Sequence, residues 1–335
     1  MNRSIVSGLA GLAGITGLAA GLGWAGPPVP ARVDGNAVLR APAGASEIVL
    51  TTTSRLAGAI HSLTWNGREF IDSHDHGRQL QSAASFDCAQ TTPFWAERYN
   101  PTEAGSRADG TGGTSSSRLL KLTTTGAGAA GGPELRTRSQ LAFWLAPGEE
   151  SFGRPALNRT VLSDHLLAKR VRLGHQDMSQ VIEYDVTFTL PAGERHTLAQ
   201  FEALTGYMPP DFSKFWTFRE DTGRLEPLDD GPGEQSHPVV FSTDDAAHAM
   251  GVLSAAPPPP GTTGPRYGRF RFEAEKVVKW NCVFRAHDGD NVRFGAYPFR
   301  LFVVVGTLED VRQSLAILTQ RRNAAPERPL PGADQ

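Results

Sequence analysis

The sequence predicts an all-β protein, a large antiparallel β-sandwich with a short C-terminal helix, on three observations. About a dozen short runs of β-type residues recur along the chain, most of them bounded by Gly, Pro, Asp or Asn. Gly and Pro number 36 and 24 in 335 residues, while charged residues make up only 20%, a balance that favours turns over long surface helices. Helical periodicity is persuasive only from Leu308 to Arg321.

Taken in order, the elements begin with a targeting segment. Arg3 precedes an apolar run from Ile5 to Trp24, followed by Ala-Gly-Pro-Pro-Val-Pro-Ala at 25–31, the order of a secretory signal peptide and leader. The small-residue cleavage rule is met after Ala25 and after Ala31. An uncleaved anchor is the rival, but six of the twenty residues from Ile5 to Trp24 are Gly, which lowers the hydropathy below that of a good span. The expected protein is therefore secreted or periplasmic, with no membrane attachment after signal cleavage.

A single β-sandwich domain is expected over 32–322, with a disordered tail at 323–335. Strand patterning runs from Ala37 to Thr53, then over 59–65, 118–124, 139–145, 168–173, 180–189, 197–205, 214–220, 238–242, 249–254, 268–275, 277–285 and 299–305. Trp65-Asn66-Gly67-Arg68-Glu69-Phe70 is the sharpest hairpin signal, because Asn-Gly tolerates the positive φ of a type I′ turn. Gly126 to Pro133 and Pro257 to Gly264 read as loop insertions, since strand patterning resumes after each. In the helix, Val311, Leu315 and Leu318 share one face, and Thr307 with Asp310 supplies an N-terminal cap.

Charge and motifs exclude several classes. Thirty-three Lys and Arg against 35 Asp and Glu give a formal charge of -2, without the basic excess of a nucleic-acid binder. No Gly-x-Ser-x-Gly elbow and no phosphate loop occurs, and the Gly-x-Gly-x-x-Gly spacings at 21–26 and 126–131 lie in the apolar leader run and in a Gly/Ala insertion, neither opening a predicted helix as a dinucleotide fingerprint must. The two cysteines, Cys88 and Cys282, allow one bridge or two buried thiols. Oligomeric state leaves no mark in the sequence.

The polar residues concentrate between Phe70 and Asp109. If Asp75–Gln81 is extended, Asp75, Gly77, Gln79 and Gln81 share one face, and His74, His76, Arg78 and Leu80 the other. Two imidazoles and a guanidinium in a row suit a carboxylate or a polyhydroxylated ligand. The next segment, from Phe94 to Arg107, mixes Trp95 and Tyr99 with Glu97, Asn100 and Glu103. Aromatic rings beside carboxylates suit sugars, whose C–H faces stack while their hydroxyls bond to polar groups. The competing reading is a set of loops held by ordinary salt bridges to Arg98 and Arg107. For a divalent metal, His74 and His76 with His165, His175 or Glu103 could supply a shell, but no zinc motif is present, so no cofactor is expected.

The stretch Trp65–Asp72, the following Asp75-His76-Gly77-Arg78-Gln79-Leu80-Gln81 and Asn100–Gly105 together resemble secreted bacterial proteins of the galactose-mutarotase-like β-supersandwich superfamily. The resemblance implies a broad two-sheet fold with a sugar-sized groove on its concave face. It extends to epimerases, glycoside hydrolases, lyase domains and carbohydrate-binding domains, so the reaction stays open. In an epimerase reading, His76 or His175 would be the acid, though the late Glu motif has no counterpart here. The expected ligand is a carbohydrate, held by His74, Arg78, Gln81, Trp95, Asn100, His165, His175 and Trp280. Hydrolysis would use Glu97 or Glu103 as acid and Asp109 as second carboxylate. Elimination on a uronate would instead use His76 or Tyr99 as base.

Overall fold

Alternation along the strands sets the architecture. The computed structural model describes residues 32–126, 132–289 and 291–324. The expected signal segment, most of the Gly126–Pro133 insertion and the tail beyond Ala324 lie outside those residues. The run Ala37 to Thr53 is two strands, Ala37–Ala43 and Ser46–Thr52, joined by a tight turn in which Gly44 has φ +61°. Their inward positions, among them Leu39, Ala41, Ile48 and Leu50, are buried. The Asn-Gly hairpin forms as expected: Trp65 pairs with Arg68, and Asn66 and Gly67 take φ +50° and +72°.

Antiparallel pairing links the strands into two layers. One runs through 118–125, 134–143, 162–175, 178–190, 295–306, 249–254, 239–242 and 214–219. The other runs through 37–43, 46–52, 60–65, 80–86, 198–208, 277–287 and 262–272. The short strand Pro101–Thr102 bridges both, pairing with Ala83 in one and with Ala142 and Phe143 in the other. Between the layers Phe201 meets Phe188 and Phe299 at ring distances of 5.3 and 5.4 Å, and Phe284 stacks on Phe299 at 4.5 Å. The result is the all-β sandwich read from the sequence, with helix Leu308–Ala324 laid over one outer face and Val311, Leu315 and Leu318 buried beneath it.

One expectation changes, and the cysteine alternatives are decided. Asp75–Gln81 is not an extended row: Asp75 Oδ1 accepts from Gly77 N at 2.8 Å, and the strand begins only at Leu80. An Asx-type turn therefore replaces the two-faced ladder, leaving His74 exposed and His76 buried. Both cysteines are free thiols. Cys282 pairs with Leu204, whereas Cys88 lies beyond Phe86, which pairs with Ala199 on the opposite edge of the same strand. Two strand spacings, about 10 Å, exceed what a disulfide can span.

Candidate functional site

The outer face of the second layer carries a groove of about 440 Å³, within the range of ligand pockets. Three neighbouring strands supply its floor by simple alternation. Gln81, Ala83 and Ser85 project from Leu80–Phe86, Gln200 and Glu202 with Thr205 and Tyr207 from Leu198–Met208, and Lys279 and Asn281 from Val277–His287. The spacing from Glu202 to Thr205 is odd because the register shifts between Glu202 and Leu204. That bulge keeps polar residues on the groove side across the whole strand. In register, Thr205 lies between Gln81 and Asn281, and Tyr207 beside Lys279.

Aromatic rings wall the groove. Trp95 enters on the 3-10 turn Ala96–Tyr99, Trp144 from the end of strand Glu134–Phe143, and Phe270 and Phe272 from strand Thr262–Phe272. The Phe270 and Phe272 rings lie nearly parallel, 5° apart at 6.1 Å. The Trp95 indole donates to Ser151 Oγ at 3.1 Å and carries the Arg154 guanidinium over its ring at 4.3 Å. Gly77 permits the close approach of Trp144, since a Cβ there would lie 2.6 Å from the ring.

At the centre Lys279 Nζ sits 3.1 Å from Glu202 Oε2, with the Tyr207 and Phe270 rings at 5.2 and 5.4 Å from the ammonium. Burial alone would raise the Glu202 carboxyl, but the Lys279 charge and hydrogen bonds from Thr205, Lys279 and Asn281 hold it below the usual range. Burial works against the Lys279 ammonium too, and is overcome by Glu202 and Tyr207. Asn281 Oδ1 is fixed by accepting from Gly268 N at 3.0 Å. A depression of about 480 Å³ elsewhere is mainly a proline shelf, with Pro257, Pro258 and Pro265 beside Ser254 and Arg322. Its lining offers no carboxylate and no aromatic ring.

Four residues singled out in the sequence meet in this groove: Gln81, Trp95, Glu97 and Asn100. Asn100 Nδ2 reaches Ser85 Oγ at 3.0 Å, and Gln81 Oε1 accepts from Ala104 N at 3.2 Å. The others are placed elsewhere. Glu103 is 0% exposed, ion-paired to buried Lys169 and accepting from Ser82 N at 3.1 Å between the layers. Asp109 is spent on loop closure, accepting from Ser106 N and Ser116 N at 2.8 Å each. His76 lies between two carbonyl oxygens, Gly110 O at 2.8 Å and Arg55 O at 3.0 Å. Arg78 is taken up by Asp75 at 3.2 Å and Asp72 at 3.9 Å. Trp280, 1% exposed, falls on the intervening position between Lys279 and Asn281 and so points into the core. His175 bonds Glu183 at 2.8 Å in the other layer. Tyr99 donates to Glu194 at 2.8 Å, beside His165 and on the far side of its strand neighbours from the groove.

Sequence reasoning missed Glu202, Lys279, Asn281, Tyr207, Trp144 and the Phe270–Phe272 pair. The available signal was alternation: Gln200 and Glu202, and Lys279 and Asn281, break otherwise apolar strands at period two.

No protein-family model matches the chain, and no curated protein matches it. Among solved structures, the chain is similar to an α-galactosidase from Lactobacillus brevis at 10% identity, covering 88% of this chain and 44% of that one, with a TM-score of 0.45. It is similar to a protein described as an aldose 1-epimerase from Klebsiella pneumoniae at 9% identity, over 87% of this chain and 88% of that one, with a TM-score of 0.43. A Synechocystis protein, Slr1438, matches at 9% identity over 81% and 96%, with a TM-score of 0.41. The chain spans less than half the length of the galactosidase.

Proposed function

We propose that the groove binds a neutral oligo- or polysaccharide and that the protein is a glycoside hydrolase. The observation that carries the reading is the polar floor of three strands, Gln81, Glu202, Thr205, Lys279 and Asn281, set between the rings of Trp95, Trp144 and Phe270. Rings stack on the C–H faces of a pyranose while amides and carboxylates bond to its hydroxyls. Hydrolysis needs two carboxyl groups flanking the glycosidic bond. Glu202, held ionised by Lys279, serves as base or nucleophile, and Glu97, on the opposing turn, protonates the leaving oxygen. Glu103 and Asp109 are replaced in these roles because neither lines the groove.

Charge supports a neutral ligand over a uronate. Among the described residues the groove is lined by Glu97, Glu202 and Glu234 against a single cation, Lys279, already paired, while Glu234 is bonded to Arg285 at 2.6 Å. Elimination needs a group that neutralises the sugar carboxylate; of the two residues suited to that, Arg78 is bound by Asp72 and Asp75, and Asn100, which lines the groove, brings no charge and donates to Ser85. A calorimetric panel of neutral and uronate glycans, followed by reducing-end assays on those that bind, tests the reading. Trp95→Ala is expected to weaken binding about tenfold, near the value of one stacked ring. Glu97→Gln and Glu202→Gln are each expected to lower turnover by about 10²-fold or more. Products with ultraviolet absorption would replace hydrolysis by elimination, and binding without turnover would leave a carbohydrate-binding protein.

A further inference from the structure

Successive residues of a strand face opposite ways, so Phe86 lies on the side of its strand away from the groove that Ser85 lines. There its ring covers two imidazoles, with centroids 4.8 Å from His165 and 4.6 Å from His196. His165 comes from strand Leu162–His175, while His196 and Glu194 come from the connection ahead of strand Leu198–Met208. Glu194 Oε2 is 2.8 Å from His196 Nε2 and 3.3 Å from His165 Nε2. One donor atom from each of the three residues lies within 4.8 Å of the other two.

The histidines are 2% and 3% exposed, yet they are not satisfied. The approach of His165 to Glu194 misses hydrogen-bonding geometry, so neither ring nitrogen of His165 has a partner, and His196 Nδ1 has none either. A buried polar group without a partner is costly, and its persistence needs a reason. Hydrogen bonding between Glu194 and His196 explains one imidazole and leaves the other idle. An ion shared by all three engages both imidazoles through Nε2, although each Nδ1 stays without a hydrogen bond.

We propose that His165, His196 and Glu194 form a binding site for a divalent transition-metal ion of the zinc class. Two imidazole nitrogens and a carboxylate oxygen are a donor set for such ions. Around one tetrahedral ion with bonds of about 2.0–2.1 Å, ligand atoms stand about 3.3 Å apart; the two separations from Glu194, 2.8 and 3.3 Å, are near that value, and the imidazoles, whose donor atoms lie within 4.8 Å, would draw together on binding. Tyr99 donates to Glu194 Oε1 at 2.8 Å, leaving Oε2 for the ion and orienting the carboxylate from behind. The ion would tie the strand of His165 to the 191–197 connection, a structural clip behind the groove and independent of the sugar-binding reading.

The test uses the full chain, stripped of metal by chelator and titrated with Zn²⁺ alone. One saturable equivalent and a raised melting temperature are expected. Glu194→Gln and His196→Asn should each weaken Zn²⁺ by at least about 100-fold, more than the loss of an outer-shell partner, while His175→Asn, in a different cluster, should leave it unchanged. X-ray absorption of the Zn²⁺-loaded wild type should show imidazole scattering from two ligands, a readout that does not depend on any variant folding. Absence of saturable binding, undiminished binding in both variants, or an all-oxygen shell would overturn the proposal.

Discussion

At the scale of single residues, the groove turns on Lys279. Its ammonium and the Glu202 carboxylate are each less than one-fifth exposed in their side chains, so each is tolerable only because the other is present. Lys279→Met is expected to destabilise the fold by on the order of 3 kcal/mol, the cost of stranding a largely buried charge. The Glu202 carboxyl would then rise, because its largest lowering influence is gone while burial persists. Lys279→Met combined with Glu202→Gln should recover much of that loss. Denaturant melts of the two single variants and the pair check this, and a double variant less stable than both singles would refute the coupling. The same scale explains why only part of the dense polar run from Phe70 to Asp109 faces the groove. His76, Asp109 and Glu103 bond to backbone groups and a buried lysine. A segment that closes a sandwich edge without regular pairing must satisfy its backbone with side chains, and sequence alone cannot separate that task from proton transfer.

At the scale of elements, legibility followed locality. The Asn66-Gly67 hairpin and the helix were readable because their determinants lie within a few residues. Thr307 Oγ1 accepts from Asp310 N at 3.1 Å, and Asp310 Oδ2 accepts from Thr307 N at 3.0 Å, the reciprocal cap expected from the spacing. Helix Leu308–Ala324 continues three residues past the expected end at Arg321, where Arg322 is anchored to Glu220 and donates to Ser254 O at 3.1 Å, contacts invisible to periodicity. Because Leu315 is wholly buried against Val240, Leu253 and their neighbours, Leu315→Ala is expected to cost about 2–5 kcal/mol. Thr307→Ala should cost only about 1 kcal/mol. Thermal unfolding of both variants gives the ordering, and equal losses would mean that the helix is held by its cap rather than by its packed face.

At the scale of the whole molecule, function depends on pairings that no local pattern encodes. Gln81, Thr205 and Asn281 lie side by side although more than a hundred residues separate the first pair and more than seventy the second. The bulge that aligns Glu202 with Thr205 leaves no motif. The sandwich class was legible because alternation marks which residues are inside, but the groove was legible only in the part drawn from one stretch of chain, Gln81, Trp95, Glu97 and Asn100. The opposite layer shows the same long-range logic in charge: Arg170 bonds Glu134 at 3.1 Å and Glu183 at 2.7 Å, drawing on three strands. Burial would raise the Glu183 carboxyl, but His175, Arg170 and Arg172 hold it low, and Arg136, Arg172 and Arg170 do the same for Glu134. A carboxylate depressed in the folded state binds fewer protons there than in the unfolded chain. Its stabilisation is therefore complete above the ordinary Glu value of about 4.3 and lost as pH falls through the lower folded value. Wild-type melting temperature should stay nearly flat from neutrality to about pH 5 with respect to these groups and fall below about 4.3. Glu183→Gln should be less stable at pH 6 by on the order of 1–2 kcal/mol and show a shallower acid slope, since one depressed carboxylate has been removed. Melting curves of the two proteins across this pH range check the expectation. They should converge as pH drops, because a protonated Glu183 and the amide that replaces it in the variant both lack the charge that Arg170 requires; a constant gap down to the acid limit would show that Glu183 stabilises through packing and not through its charge.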